Sequence, residues 1–243
     1  MKKTCFYTIY DNNNEPYAVM LRNSLKKFHP DIELREFADK EIDESGIPRP
    51  DIFYLSAPFF AKKLMDEGYE HVIKMDCDQI ITGNLDHVIE DTSFDVGTVL
   101  NFNERDFKTY GPVGVWDIPP QQYFNNGMVS LNSKEFVEHW LKVCMTPHFM
   151  NYTYKEQDFL NIICHYGNYN VFCFDQSNKW HGLASKSHWL QAVMKEGKLV
   201  VPLPEGDREI VCLHWAGGNQ EKKMNYQTAF TEEVISYLDS LVK

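Results

Sequence analysis

No apolar run in the 243-residue sequence approaches the roughly 18 residues that a membrane-spanning helix needs. The sequence also lacks an internal repeat, a linker and a low-complexity stretch, and the run after Met1-Lys2-Lys3 is too short for a secretory h-region. Basic residues are in short supply, with 24 Lys and Arg against 35 Asp and Glu and a formal net charge of -11. That balance argues against a nucleic-acid or anionic-membrane surface, since such partners are bound through clustered Lys and Arg. The six cysteines, Cys5, Cys77, Cys144, Cys164, Cys173 and Cys212, include no C-x-x-C pair. Their scatter argues for buried free thiols in a reducing compartment over a disulfide framework or a zinc site. These absences predict a soluble cytoplasmic protein that handles any phosphate-bearing ligand locally, as a metal held between acids would.

What is present reads as one large α/β domain. Hydrophobic residues make up 43% and aromatics 14%, and a chain of this length split in two would leave each half small for a core. The run Val72-Ile73-Lys74-Met75 is rich in β-branched and apolar residues and stops at Asp76-Cys77-Asp78. In an extended chain residues i and i+2 point to one side, so the two carboxylates share a face at a strand's carboxyl end. Open α/β sheets bind ligands at that end; paired acids there suit a metal ion or simply a polar turn.

Residues 4–10 predict a first strand, and Asp11-Asn12-Asn13-Asn14 a turn and cap before a helix bearing Tyr17, Met20, Leu21, Ser24, Leu25 and Phe28. Thr8, Tyr10, Asp11 and Asn12 therefore meet either a ligand or turn chemistry alone. Residues 32–37 read as a second strand and 39–50 as a loop. Ser56 reads as the cap of a helix over 57–67, with Lys62 and Lys63 midway. Strands are predicted at 96–100, 127–131, 171–174 and 210–213. Asn132-x-x-Glu135 and Thr153-x-x-Glu156 are capping-box patterns for two helices, and residues 231–242 form an amphipathic closing helix. The aperiodic segment 101–122 is long enough to read as a lid or binding segment.

Three later segments join the acids. Tyr123-Phe124-Asn125-Asn126-Gly127 runs into a strand; Lys155-Glu156-Gln157-Asp158-Phe159-Leu160-Asn161 opens a helix; Leu213-His214-Trp215-Ala216-Gly217-Gly218 ends a strand ahead of Lys222 and Lys223. In this order the four pieces resemble the retaining glycosyltransferases of family 8, the group of glycogenin and the bacterial lipopolysaccharide galactosyl- and glucosyltransferases, over residues 4–223. The resemblance implies the GT-A fold, a single Rossmann-like α/β domain over 1–243 with a mixed central sheet flanked by helices. Residues 1–100 would be its nucleotide-binding half, 101–230 its sugar- and acceptor-binding half, and 231–243 a closing helix.

The same resemblance implies that Asp76, Asp78 and His214 hold a divalent ion, Mn²⁺ or Mg²⁺, a set of oxygen and imidazole donors that suits those ions better than zinc. It implies that Asn125 and the backbone of Asn126 hold the sugar, and that Gln157 faces the anomeric carbon with Glu156 and Asp158 as neighbouring carboxylates. Gly217, Gly218 and Lys222 or Lys223 would meet the diphosphate, and Lys62 stands where relatives carry arginine. Thr8, Tyr10, Asp11 and Asn12, with Tyr17, would bind uracil and ribose. The implied activity is metal-dependent retaining transfer of a hexose from a UDP-sugar to a saccharide or other hydroxyl acceptor, by attack on the face the diphosphate leaves, with Glu156 and Asp158 as the candidates for a covalent step in its place. Asn219-Gln220-Glu221 departs from the family's spacing between glycine and lysine. Two other readings compete: a non-catalytic sugar- or nucleotide-binding module on the same shell, and a phosphohydrolase using the Asp-x-Asp strand, which wants threonine where Ile80 stands.

Overall fold

The computed structural model describes residues 2–47, 52–101, 118–146, 154–175, 180–181, 192–204, 206–214, 226 and 230–243. Its centre is a six-stranded mixed sheet made of β1 (Thr4–Ile9), β2 (Glu33–Phe37), β3 (His71–Met75), β5 (Val96–Leu100), β6 (Phe124–Leu131) and β7 (Val171–Cys173), in the order β2-β1-β3-β6-β5-β7. β1 runs parallel to β2 and β3, β6 runs antiparallel to both β3 and β5, and β5 runs parallel to β7. Every residue of β3 and of β6 is buried, as expected for central strands covered on both faces.

Helices α1 (Glu15–Phe28), α2 (Asp39–Glu44), α3 (Ile52–Asp66), α4 (Asp86–Glu90), α5 (Lys134–Cys144), α6 (Glu156–Tyr166) and α7 (Glu232–Val242) complete the layers. On one side Phe60, Ala61 and Leu64 of α3, Phe136 and Trp140 of α5, and Leu160 of α6 pack with Tyr7, Val72 and Val129 of the sheet. On the other, Leu21 and Leu25 of α1 pack with Phe6, Ile73 and Met75. A third cluster joins Val234, Leu238 and Leu241 of α7 to Ile80 and Leu213. Those two belong to β4 (Gln79–Ile81) and β12 (Cys212–His214), an antiparallel pair with His214 opposite Gln79, which β8 (Trp180–His181) extends. Among the described residues no helix is long and apolar enough to cross a membrane.

Several elements depart from the sequence-based expectation. Residues 39–50 hold α2 rather than only a loop, because the Glu41 carboxylate accepts from the Ala38 N–H at 3.2 Å and Ile42 is buried. Ser56 is not a cap: α3 begins ahead of it, and Pro58 lies inside the helix. The lost N–H is outweighed by burial of Ala57, Phe60, Ala61 and Leu64. Ser133, not Asn132, caps α5, accepting from the Phe136 N–H at 3.2 Å. The predicted strand at 210–213 is shifted to Cys212–His214, while β9 (Val193–Lys195), β10 (Lys198–Leu203) and β11 (Gly206–Glu209) form a separate antiparallel sheet. None of the six cysteines forms a disulfide, but only Cys5, Cys144 and Cys212 are buried and Cys173 is exposed.

Candidate active site

The site forms where the carboxyl end of β3 meets the start of β6. The Asp76 N–H donates to the Gly127 carbonyl at 2.7 Å, so the acids are locked to the Asn125-Asn126-Gly127 segment. That segment is a bulge: the β5 to β6 register moves from Thr98 opposite Val129 to Val99 opposite Asn125. The Thr98 hydroxyl donates to the Asn125 carbonyl at 2.6 Å, satisfying a group that the broken ladder leaves over. The bulge therefore lies within the site itself.

His214 reaches the acids from β12. Its Nε2 lies 3.3 Å from Asp76 Oδ2 and 3.3 Å from Asp78 Oδ1, and one donor atom from each of the three residues falls within 4.8 Å of the others. Two donors in adjacent positions around a divalent cation sit about 3 Å apart for bonds of about 2.1 Å, so this cradle fits such an ion. The imidazole packs on Gly127: a Cβ there would lie 2.2 Å from His214 Cε1 and 2.6 Å from Asn125 Oδ1, which only glycine avoids. Burial disfavours a charged His214, yet the Asp76 and Asp78 carboxylates overcome it and raise its pKa. For Asp76, burial works against ionisation, and the ammonium of Lys74 together with His214 outweighs it, holding the carboxyl well below the usual range.

Beside the cradle, the start of α6 delivers Glu156 and Gln157. Gln157 Oε1 accepts from Asn125 Nδ2 and from the Asn126 N–H, both at 3.1 Å, and Asn125 Nδ2 also donates to Asn101 Oδ1 at 3.0 Å. Glu156 Oε1 accepts from Asn126 Nδ2 at 2.8 Å, and burial pushes its carboxyl up to about 8. Glu156 is the first residue of α6 rather than the third position of a capping box, and Thr153, the expected cap, lies outside the described residues. Asp158 turns elsewhere, bonded to the Tyr123 hydroxyl and to the Tyr154 N–H; burial raises its pKa. Asn161 clips α6 to β6, accepting from the Phe124 N–H at 2.6 Å and donating to the Phe124 carbonyl at 2.9 Å.

At the end of β1, Thr8 is buried, and its hydroxyl has no hydrogen-bond partner among the described residues. Tyr10 donates to Glu36 at 3.2 Å, Asp11 caps the turn at Asn14, and the Asn12 N–H donates to Asp39 at 2.9 Å. Lys62 Nζ lies 2.6 Å from Asp66 on the same helix. Gly217, Gly218, Lys222 and Lys223, and most of 101–122, lie outside the described residues.

Sequence reasoning missed Lys74. It is buried and bonded to Asp76 Oδ1 and, at 2.7 Å, to the Asn126 carbonyl. With Tyr10, Ser56, Asp76 and Glu156 it lines a cavity of about 110 Å³. The same i, i+2 rule that pairs Asp76 with Asp78 puts Lys74 on their face, and that signal was in the sequence.

The profile of glycosyl transferase family 8 matches residues 2–222. A search of curated protein sequences finds no match. Among solved structures, the chain resembles the WbbM bifunctional glycosyltransferase, with TM-score 0.61 and 13% identity, over 99% of this chain and 50% of that one. The galactosyltransferase LgtC, in complex with donor and acceptor sugar analogs, matches with TM-score 0.55 and 16% identity, over 98% of this chain and 96% of that one. The glycosyltransferase GlyE of Streptococcus pneumoniae TIGR4 matches with TM-score 0.58 and 13% identity, over 99% of this chain and 63% of that one. The chain thus spans half of WbbM. At such identities the likeness concerns the fold, and that fold is GT-A.

Proposed function

The chain belongs to glycosyl transferase family 8, and on that premise we propose that it is a metal-dependent retaining transferase. It moves a hexose from a UDP-sugar to a saccharide or other hydroxyl acceptor, within a single domain over residues 1–243. The observation that carries this reading is the convergence of Asp76, Asp78 and His214 beside the amides of Asn125, Asn126 and Gln157. A divalent cation in that cradle, Mn²⁺ or Mg²⁺, would offset the charge of the diphosphate as it departs.

The chain's own groups take the remaining roles. Thr8, Tyr10, Asp11 and Asn12 meet the nucleoside, and the buried Thr8 hydroxyl is free for a ligand among the described residues. Asn125 and Asn126 orient the sugar, and Gly217, Gly218 and Lys222 or Lys223 meet the phosphates. Gln157 carries its oxygen in two hydrogen bonds, which makes it a fixed polar wall under the sugar and a poor nucleophile. Glu156, held neutral up to about 8 by burial, and Asp158, tied to Tyr123 and Tyr154, are likewise ill placed to form a glycosyl-enzyme. Attack on the face the diphosphate leaves is the path these residues favour.

Incubating the chain with a panel of UDP-sugars, with and without Mn²⁺, tests the reading through release of UDP. Asp78→Ala is expected to abolish metal-dependent release and leave the fold intact by circular dichroism. Full activity in that variant, or no Mn²⁺-dependent release from any donor in the wild type, overturns it.

A further inference from the structure

Asp76 uses its two oxygens differently. Oδ2 faces the cradle, 3.3 Å from His214 Nε2, while Oδ1 is bonded to Lys74 Nζ. The ammonium is held from behind as well, donating to the Asn126 carbonyl at 2.7 Å, and its side chain is 7% exposed. An ammonium has three donors, and two are committed here. Lys74 thus sits on the face of β3 that carries the acids, beside the first of them, and with Asp76 it lines the cavity that Ser56, Tyr10 and Glu156 also border.

We infer that Lys74 is a positioning residue that makes cation binding conditional on an anionic co-ligand, a nucleoside diphosphate; this rests on the family reading of the cradle given above. In the form that would ligate a cation, two aspartates and an imidazole freed of any extra proton carry a charge of minus two, and a buried ammonium hydrogen-bonded to one of them cancels half of it. A divalent ion entering alone meets a site of weakened field and a fixed positive charge one carboxylate away. A diphosphate brings negative charge of its own, and with it the cation regains what Lys74 removes. The hydrogen bond also leaves Asp76 a single oxygen that would serve the ion. A lysine with only a packing role would predict the opposite consequence of its loss, since Asp76 would turn loose and the metal would bind less well.

The test is Mn²⁺ binding to the full chain, followed by the electron paramagnetic resonance signal of free Mn²⁺, with and without UDP. The wild type is expected to bind Mn²⁺ weakly alone and more tightly with UDP. Lys74→Met is expected to bind Mn²⁺ alone about tenfold or more tightly than the wild type, and to lose most of the gain from UDP, by the Coulomb term removed. Lys74→Gln, which keeps hydrogen-bond donors without the charge, repeats the measurement should the methionine variant fail to fold. Folded variants that bind Mn²⁺ alone as the wild type does, or less well, overturn the inference and leave the family reading standing. A wild type that takes up no Mn²⁺ even with UDP overturns both.

Discussion

Gly127 lies so close to the His214 ring that a methyl group at 127 would sit 2.2 Å from Cε1. Gly127→Ala should therefore push the imidazole off the acids, lowering Mn²⁺ affinity at least tenfold while costing about 1–3 kcal/mol of stability, as overpacking does. Titration calorimetry with Mn²⁺ and UDP, beside a urea melt, checks both, and unaltered affinity would detach His214 from the ion. The residues of this site differ in how plainly they could be read. Asp76 and Asp78 announce themselves by spacing, and Asn125, Gln157 and His214 by resemblance. Lys74 hides because a lysine in an apolar run reads as a solvated tip, and Lys62 pairs with Asp66 one helical turn on. The burial of Lys74 is decided by neighbours remote in sequence, such as the Asn126 carbonyl.

Helix α6 starts from a strained residue. Lys155 has φ 48° and ψ -117°, the mirror image of an extended conformation, which glycine adopts as readily as its opposite hand. Lys155→Gly should raise stability by about 1 kcal/mol, the strain relieved less the entropy a glycine adds, visible as a higher melting temperature. A fall would mean that the Lys155 side chain contributes more than its backbone strain takes away. The capping patterns located this helix and α5 within a residue or two but not their caps. Asn132 and Ser133 are both good caps, and the choice between them follows from which one the incoming β6 strand leaves facing the first turn. The α2 helix escaped notice for a related reason: its short charged stretch has one buried residue, Ile42, too few for a period to show.

Folding as a whole leaves Glu156 with its pKa raised from 4.5 to about 8, chiefly by burial. The unfolded chain ionises this carboxyl near 4.5 while the folded protein holds it neutral, so stability from this group is present below that value and is lost as pH rises toward 8. Metal-free wild type should accordingly lose stability relative to Glu156→Gln between pH 5 and 8 in urea melts, because the glutamine has no proton to give up. A difference that stays constant with pH would place Glu156 in water. The alternation of strands and helices, the acids at the end of β3, the apolar face of α7 and the family motifs were all legible from the chain alone, because each depends on residues close in sequence. The β5 to β6 bulge, the seating of His214 on Gly127, the burial of Lys74 and the turning of Asp158 toward Tyr123 were not. These are contacts between segments far apart along the chain, and local propensity carries no information about which distant groups share a low-dielectric space once the layers close.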